Sequence, residues 1–151
     1  MAPTPVLISL GSNCGGPGKL REAVALLRCA FGKVEATSPE ETAPLQGTGP
    51  SYFNAVALAE TDLPACEVKQ LLRRMEAQLG RNRDTPGIVA IDLDLLAYGE
   101  LVDAGLKLPS PDLAERPFCL LPAASLAPDF IHPTIGISLK DLATMRSTHH
   151  E

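Results

Sequence analysis

Two aspartates, Asp92 and Asp94, sit two positions apart in the run Ile91-Asp92-Leu93-Asp94-Leu95-Leu96. In an extended strand, residues i and i+2 point the same way, roughly 6–7 Å apart. Ile91, Leu93 and Leu95 then face a core, while Asp92 and Asp94 project together from the opposite face. Like charges so placed repel one another. A bound cation removes the repulsion. An all-oxygen donor set points to Mg²⁺, which takes one or two carboxylates and completes its shell with water and substrate phosphates. Two such ions bridging a polyphosphate would also fit. The other reading of the pair is a solvated strand face. Four arginines, Arg73, Arg74, Arg81 and Arg83, precede the pair in sequence. Guanidinium groups stay charged and bind phosphate oxygens in pairs. In-line phosphoryl or pyrophosphoryl transfer needs such groups and a metal more than it needs covalent catalysis. Alternatively, these arginines solvate a helix end and complement its dipole.

The elements that must hold these groups can be read from periodicity. Val6 to Leu10 is a short apolar run that reads as a buried strand entering the Gly11-Ser12-Asn13 turn. Leu20, Ala23, Val24, Leu27 and Ala30 follow at helical spacing, with Gly32 as the stop. Lys33 to Thr42 is ambiguous, because Pro39 allows only an edge strand there. Ala43 to Pro50 is a loop. Tyr52 to Glu60 alternates cleanly: Tyr52, Asn54, Val56 and Leu58 share one face, and Phe53, Ala55, Ala57 and Ala59 the other. The first face, with its polar tips, suits a binding surface. Asp62 offers an N-cap to a helical stripe of Val68, Leu71, Leu72, Met75 and Leu79, which ends at Gly80. Arg81 to Gly87 is a loop, and Ala90 to Tyr98 a strand. The order is βαββαβ, the ferredoxin-like α+β arrangement of an antiparallel sheet with helices packed on it. Beyond Glu100 we expect a short hairpin at Leu101 to Leu108, a helix over Arg116 to Leu126 and a short helix from Ser138. No repeat or linker divides the chain, so residues 1–151 are expected to form a single domain.

Composition narrows the partners. The net charge of −5 argues against non-specific nucleic-acid binding, which needs a basic footprint. None of the four cysteines, Cys14, Cys29, Cys66 and Cys119, forms a C-x-x-C pair or a zinc-finger spacing. They read as reduced thiols of a cytoplasmic protein. No apolar run approaches a membrane span, and the N-terminus lacks the pattern of a signal peptide. The tail from Ser147, with His149 and His150, is polar.

Several motifs, in order, resemble the 6-hydroxymethyl-7,8-dihydropterin pyrophosphokinase family. They are Leu10-Gly11-Ser12-Asn13, Thr42-x-Pro44-Leu45, Tyr52-Phe53-Asn54-Ala55, Glu76-x-x-x-Gly80-Arg81-x-Arg83, Asp92-Leu93-Asp94-Leu95-Leu96, and Pro109 through Arg116-Pro117-Phe118. The match runs from about Val6 to about Leu142. The resemblance implies a ferredoxin-like domain that moves the β,γ-pyrophosphate of ATP to the hydroxymethyl group of the pterin, releasing AMP, in folate biosynthesis. It implies two Mg²⁺ ions on Asp92 and Asp94, and loops that close over the site. By the same resemblance, Thr42 and Leu45 offer backbone groups to the pterin edge, Asn54 hydrogen-bonds the pterin, and Tyr52 and Phe118 enclose its ring. Glu76, Arg81, Arg83 and Arg116 lie around the phosphates, and Leu95 lines the adenine pocket. Arg81 and Arg83 join the Asp pair as catalytic groups. The physics agrees: a flat heteroaromatic sits well between aromatic faces, and an amide such as Asn54 both donates and accepts.

The chain departs from the family pattern on the ATP side. Val89 stands three residues before Asp92, where the family carries an Arg. Gly105 stands at another Arg, with Lys107 near, and Ser110 at a His. Lys107 and Ser110 are therefore the candidates for these ATP contacts. A second reading is a diverged pterin-binding paralogue with weak or altered transferase activity. A third is an unrelated regulatory module on the same fold, against which the Asp pair argues. The expected partners are a pterin and ATP, with no nucleic acid and no membrane. The expected assembly is a monomer, or else a homodimer.

Overall fold

Strands form both where the sequence alternates and at the apolar run of Val6 to Leu10. The computed structural model describes residues 3–43, 49–82, 84 and 87–148. Its elements run β1 (Thr4–Ser12), α1 (Gly16–Phe31), β2 (Glu35–Ala36), β3 (Glu40–Thr42), β4 (Tyr52–Thr61), α2 (Ala65–Gln78), β5 (Asp92–Tyr98), α3 (Pro111–Glu115), α4 (Pro117–Leu126) and α5 (Leu139–Thr148). The sheet order is β2-β4-β1-β5, with β3 also paired to β4. Every pairing is antiparallel. This is the expected ferredoxin-like βαββαβ core.

The ambiguous segment becomes two short strands on the sheet edge, one either side of Pro39. Thr37 bridges the break. Its backbone N–H donates to the Val56 carbonyl at 2.9 Å, and its hydroxyl accepts from the Val56 N–H at 3.0 Å. The cap expected at Asp62 is not used. Leu63 N–H donates to the Thr61 hydroxyl at 3.0 Å, closing a turn there, and α2 starts later, with Pro64 as N-cap. The Pro64 carbonyl accepts from Glu67 and Val68 instead.

Both faces of the sheet are covered. On the first, Val6, Ile8, Leu10, Ala55, Ala57, Ile91, Leu93 and Leu95 pack against Leu20, Ala23 and Leu27 of α1 and Val68, Leu72 and Met75 of α2. On the second, Leu7, Val56, Leu96 and Ala97 pack against Leu113, Cys119, Leu120, Ala123, Leu139 and Leu142 from α3, α4 and α5. Each fully buried Leu contributes roughly 1.5–3 kcal/mol by leaving water, so truncating Leu72 to Ala would cost about 2–5 kcal/mol.

Leu96 and Ala97 break the alternation, and the register explains why. Ile8 pairs with Leu95 but Leu7 pairs with Ala97, so Leu96 is an extra residue, a β-bulge. Beyond it the strand is rephased, and Tyr98 returns to the first face. The hairpin expected at Leu101 to Leu108 is a single antiparallel bridge, Asp103 to Leu108. The helix expected from Ser138 is α5, and the Ser138 hydroxyl accepts from Asp141 N–H at 3.1 Å as its cap. Among the described residues, no helix is long and apolar enough to cross a membrane.

Candidate active site

Three strands meet at the site along shared rungs. Gly11 of β1 pairs with Asn54 of β4 on one side and with Asp92 of β5 on the other. Ser9 joins Val56 to Asp94 in the same way. With Ile8 and Leu10 on the first face, Ser9 and Gly11 point to the second. Neighbouring strands lie about 4.8 Å apart, so Asn54 and Asp92 stand about 10 Å from each other across Gly11. A Cβ on Gly11 would stand 3.4 Å from the Asn54 Oδ1. Having none, Gly11 leaves the floor between them open.

A cavity of about 280 Å³ lies over this floor. Thr42, Tyr52, Asn54, Arg81, Asp92, Asp94, Arg116 and Phe118 all line it. Asn54 donates from Nδ2 to the Thr42 hydroxyl at 2.6 Å, which fixes the amide and leaves its Oδ1 toward Gly11. Arg116 sits at the extended break between α3 and α4, and Phe118 in the first turn of α4. Arg116 pairs with Asp112 at 3.5 Å, both half-exposed, so the pair restrains the guanidinium only weakly. Leu45 and Arg83, expected at the pterin edge and the phosphates, lie outside the described residues.

The Asp pair is crowded by a third carboxylate. Glu76 of α2 is 2% exposed and lies beneath β5, where its Oε2 accepts from Leu93 N–H at 2.8 Å. It therefore supports the strand from below rather than opening into the cavity. Burial, with the Asp92 charge beside it, raises its pKa. Asp94 is pushed up to about 7, first by burial, then by Asp92 and Glu76. Arg81 lies 3.7 Å from Asp92 and donates from the same nitrogen to the Ile91 carbonyl at 3.1 Å. Its Nε is buried without a partner among the described residues. Among the described residues, no three His, Cys, Asp or Glu side chains are arranged to hold a metal. The protein's contribution to a cation here would be the Asp pair.

A second cavity, of about 470 Å³, adjoins the first. Leu95, Lys107 and Ser110 line it together, along with Arg73 and Lys69. Asp94 and Asp112 line both cavities. Ser110 also starts α3: its hydroxyl accepts from Asp112 N–H at 3.3 Å. Lys69 donates to the Leu106 carbonyl, tying α2 to the bridge loop. Arg74 is exposed and lines neither cavity.

Sequence reasoning gave Ser12 and Asn13 no role beyond a turn. In the fold they clamp the loop that leads to Asp92. Asn13 accepts from Val89 N–H at 2.6 Å and donates to the Gly87 carbonyl at 2.8 Å. The Ser12 hydroxyl, fully buried, donates to the Ala90 carbonyl at 2.7 Å. Asp112 and Lys69 were also missed. The signal for Asp112 was present: Ser110-Pro111-Asp112 is a helix start, with a capping Ser, Pro at N1 and an acid in the first turn.

Comparison with known proteins identifies the family. The family model for 7,8-dihydro-6-hydroxymethylpterin-pyrophosphokinase (HPPK) matches residues 7–128. A 2-amino-4-hydroxy-6-hydroxymethyldihydropteridine pyrophosphokinase of Synechocystis is 34% identical over 142 residues, covering 90% of this chain and 73% of that protein. One from Pseudomonas aeruginosa is 34% identical over 138 residues, covering 85% and 83%. The folic acid synthesis protein fol1 of Pneumocystis carinii is also 34% identical, over 89% of this chain but 19% of its own length. A solved HPPK-DHPS structure in complex with substrates superposes with a TM-score of 0.72 at 10% identity, over 99% of this chain. The chain spans 44% of that longer protein, and the likeness speaks to the fold. The extent of the family match and the two bacterial relatives place this chain in the 7,8-dihydro-6-hydroxymethylpterin-pyrophosphokinase family.

Proposed function

We propose that this chain transfers the β,γ-pyrophosphoryl group of ATP to the hydroxymethyl oxygen of 6-hydroxymethyl-7,8-dihydropterin, as a step of folate biosynthesis. The observation that carries the reading is the Asn54–Gly11–Asp92 row, which joins a fixed amide to a carboxylate pair within one cavity. In this reading Asn54 and Thr42 hold the polar edge of the pterin, with Leu45 beside them. Tyr52 and Phe118 flank its ring. ATP lies in the adjoining cavity, with adenine near Leu95 and phosphates toward Arg81, Arg83, Arg116, Lys107 and Ser110. Glu76 acts from beneath, holding Leu93 and hence the Asp pair in register.

Asp92 and Asp94 would hold Mg²⁺, in one or two ions. The donor set fits: two carboxylate oxygens that repel when empty suit a hard cation that fills its shell with water and phosphate. Bound there, the metal supplies charge neutralisation of the polyphosphate. The chain's own residues do the rest. They hold the hydroxymethyl oxygen in line with the β-phosphorus, a positioning effect that can lower the barrier by ~7–11 kcal/mol at best. The new bond joins the hydroxymethyl oxygen to Pβ, the bond from Pβ to the α-bridging oxygen breaks, and the hydroxyl proton leaves. The products are AMP and the pterin diphosphate. Arg81, anchored to the Ile91 carbonyl, presents fixed positive charge as the bridging oxygen gains negative charge.

The chain is read as one domain over residues 1–151, acting as a monomer or a homodimer. The exposed, unpaired thiols of Cys14, Cys29 and Cys66 support a cytoplasmic location. The deciding experiment is a product assay with ATP and the dihydropterin alcohol. AMP and pterin diphosphate should form, require Mg²⁺, and fall by at least about a hundredfold in Asp92→Ala. Absence of AMP at saturating substrates would refute the reading. A second reading, a pterin binder with weak or altered transfer, is favoured by Val89, which lines the cavity with an apolar group at the family's Arg position. Calorimetry that finds pterin binding without turnover would select it.

A further inference from the structure

Behind the Leu108-Pro109-Ser110 segment lies a third cavity, of about 430 Å³, that the proposed reaction does not use. Its volume falls in the usual range for small-molecule sites, about 300–1,000 Å³. Among its buried lining residues, Leu108, Ala114 and His132, one carries a polar side chain. His132 is 4% exposed and lines this cavity. Its Nδ1 accepts from Thr134 N–H at 3.3 Å and Ile135 N–H at 3.2 Å. The backbone around it is locked as well: His132 N–H donates to the Ile137 carbonyl at 3.0 Å, and Gly136 N–H to the His132 carbonyl at 2.8 Å. With Nδ1 accepting, the neutral ring carries its proton on Nε2. Burial lowers the His132 pKa, which keeps the ring neutral at neutral pH. Among the described residues, no protein group takes the Nε2–H.

The rest of the lining fits a specific kind of ligand. Lys107 and Arg146, both exposed, bring positive charge, against the single carboxylate of Glu115. Val102, Pro109 and Ile135 supply apolar walls, and Val102 and Ile135 are 57% and 41% exposed. We propose that this cavity is a second ligand site, for a small molecule with an anionic oxygen headgroup on an apolar body. His132 Nε2–H binds the headgroup, Lys107 and Arg146 neutralise it, and the apolar walls hold the body. Lys107 and Ser110 also line the cavity assigned to ATP. A ligand that draws Lys107 toward His132 therefore weakens ATP binding, and ATP weakens the ligand by the same factor. This coupling rests on the ATP reading, whereas the site itself does not.

Benzoate is the probe, titrated into the full chain by NMR. The chain has three histidines, so the His132 ring signals are assigned by their loss in His132→Asn. Asn at this position still offers an oxygen to Thr134 and Ile135 N–H but has no donor at the Nε2 position. The expected result is a saturable shift of the His132 ring signals in the wild type. Benzyl alcohol, which lacks the charge, should bind at least about tenfold more weakly. His132→Asn and Arg146→Ala should each weaken benzoate by about three- to tenfold, read from backbone amide shifts near Ile135. With benzoate bound, the KM for ATP should rise several-fold while kcat holds. No saturable shift, or wild-type affinity in both variants, overturns the site. An unchanged KM for ATP overturns the coupling. A chain that makes no AMP refutes the proposed reaction instead, and the His132 titration still decides the site.

Discussion

Asp94→Asn should make the metal-free protein more stable and less active. Folding takes Asp94 partly out of water and brings it beside Asp92 and Glu76, which pushes its pKa from 3.8 to about 7. A carboxyl whose pKa rises on folding holds its proton more tightly in the folded state. Its contribution to stability is fully present below about pH 3.8 and is lost as the pH rises through about 7. At about 1.4 kcal/mol per pH unit, that gap sets a ceiling of about 4 kcal/mol lost by pH 8. Glu76, whose pKa burial also raises, shares the strain by taking up a proton itself, and Asp94 keeps some contact with water. A realistic gain for Asp94→Asn is about 1–2 kcal/mol at pH 8. For a chain of this length that is roughly 3–6 °C in Tm. The assay is thermal or urea unfolding in EDTA at pH 8 and at pH 4.5, beside turnover with Mg²⁺. The gain should shrink as the pH falls, because the wild-type carboxyl is then protonated in the fold. Mg²⁺ should stabilise the wild type more than the variant. An Asn variant no more stable than wild type at pH 8, or equally stabilised at both pH values, would refute the argument that the Asp pair is held in the fold at an electrostatic cost.

Asn54→Ala removes the amide fixed by Thr42 and should weaken pterin binding by about ten- to a hundredfold in calorimetry, leaving ATP affinity within about twofold. Asn13→Ala releases the loop at Gly87 and Val89, so kcat should fall severalfold while Tm drops only a few degrees, since about two hydrogen bonds to a surface loop are lost. Burial pushes the Cys119 thiol up to about 12. In a neutral thiol-exchange assay the exposed Cys14, Cys29 and Cys66 should react, while Cys119 should react only on unfolding.

Much of this site could be read from residue order because strands alternate with a period of two. That rule alone put Asp92 and Asp94 opposite Leu93 and Leu95, and grouped Tyr52 and Asn54 on one face with Val56. What it could not supply was distance between segments far apart in sequence. The resemblance set Glu76 around the phosphates, and only the packing of α2 under β5 reveals that its carboxylate holds Leu93. Asp112 belongs to a helix of 5 residues, too short to leave a periodic stripe, so that its Ser-Pro-Asp start was the one mark it left. Leu96 and Ala97 were legible as apolar, but nothing in their types announces a bulge. Ser12 and Asn13 illustrate the same gap, since their hydrogen-bond partners lie more than seventy residues away.

The bulge at Leu96 has a bearing on how such a chain can change over generations. It separates two reading frames within one strand. The frame that aims Asp92 and Asp94 is set by the rungs from Gly11 to Ile8, while the frame that returns Tyr98 to the first core is set beyond the extra residue. An insertion or deletion in the segment after Tyr98 therefore meets a strand end already out of phase with the site, and the carboxylates keep their aim. Loss of Leu96 itself would be felt first at Ala97 and Tyr98, not at the Asp pair. The chemistry-bearing half of β5 is in this sense insulated from the length variation that the Pro-rich connections downstream can accumulate.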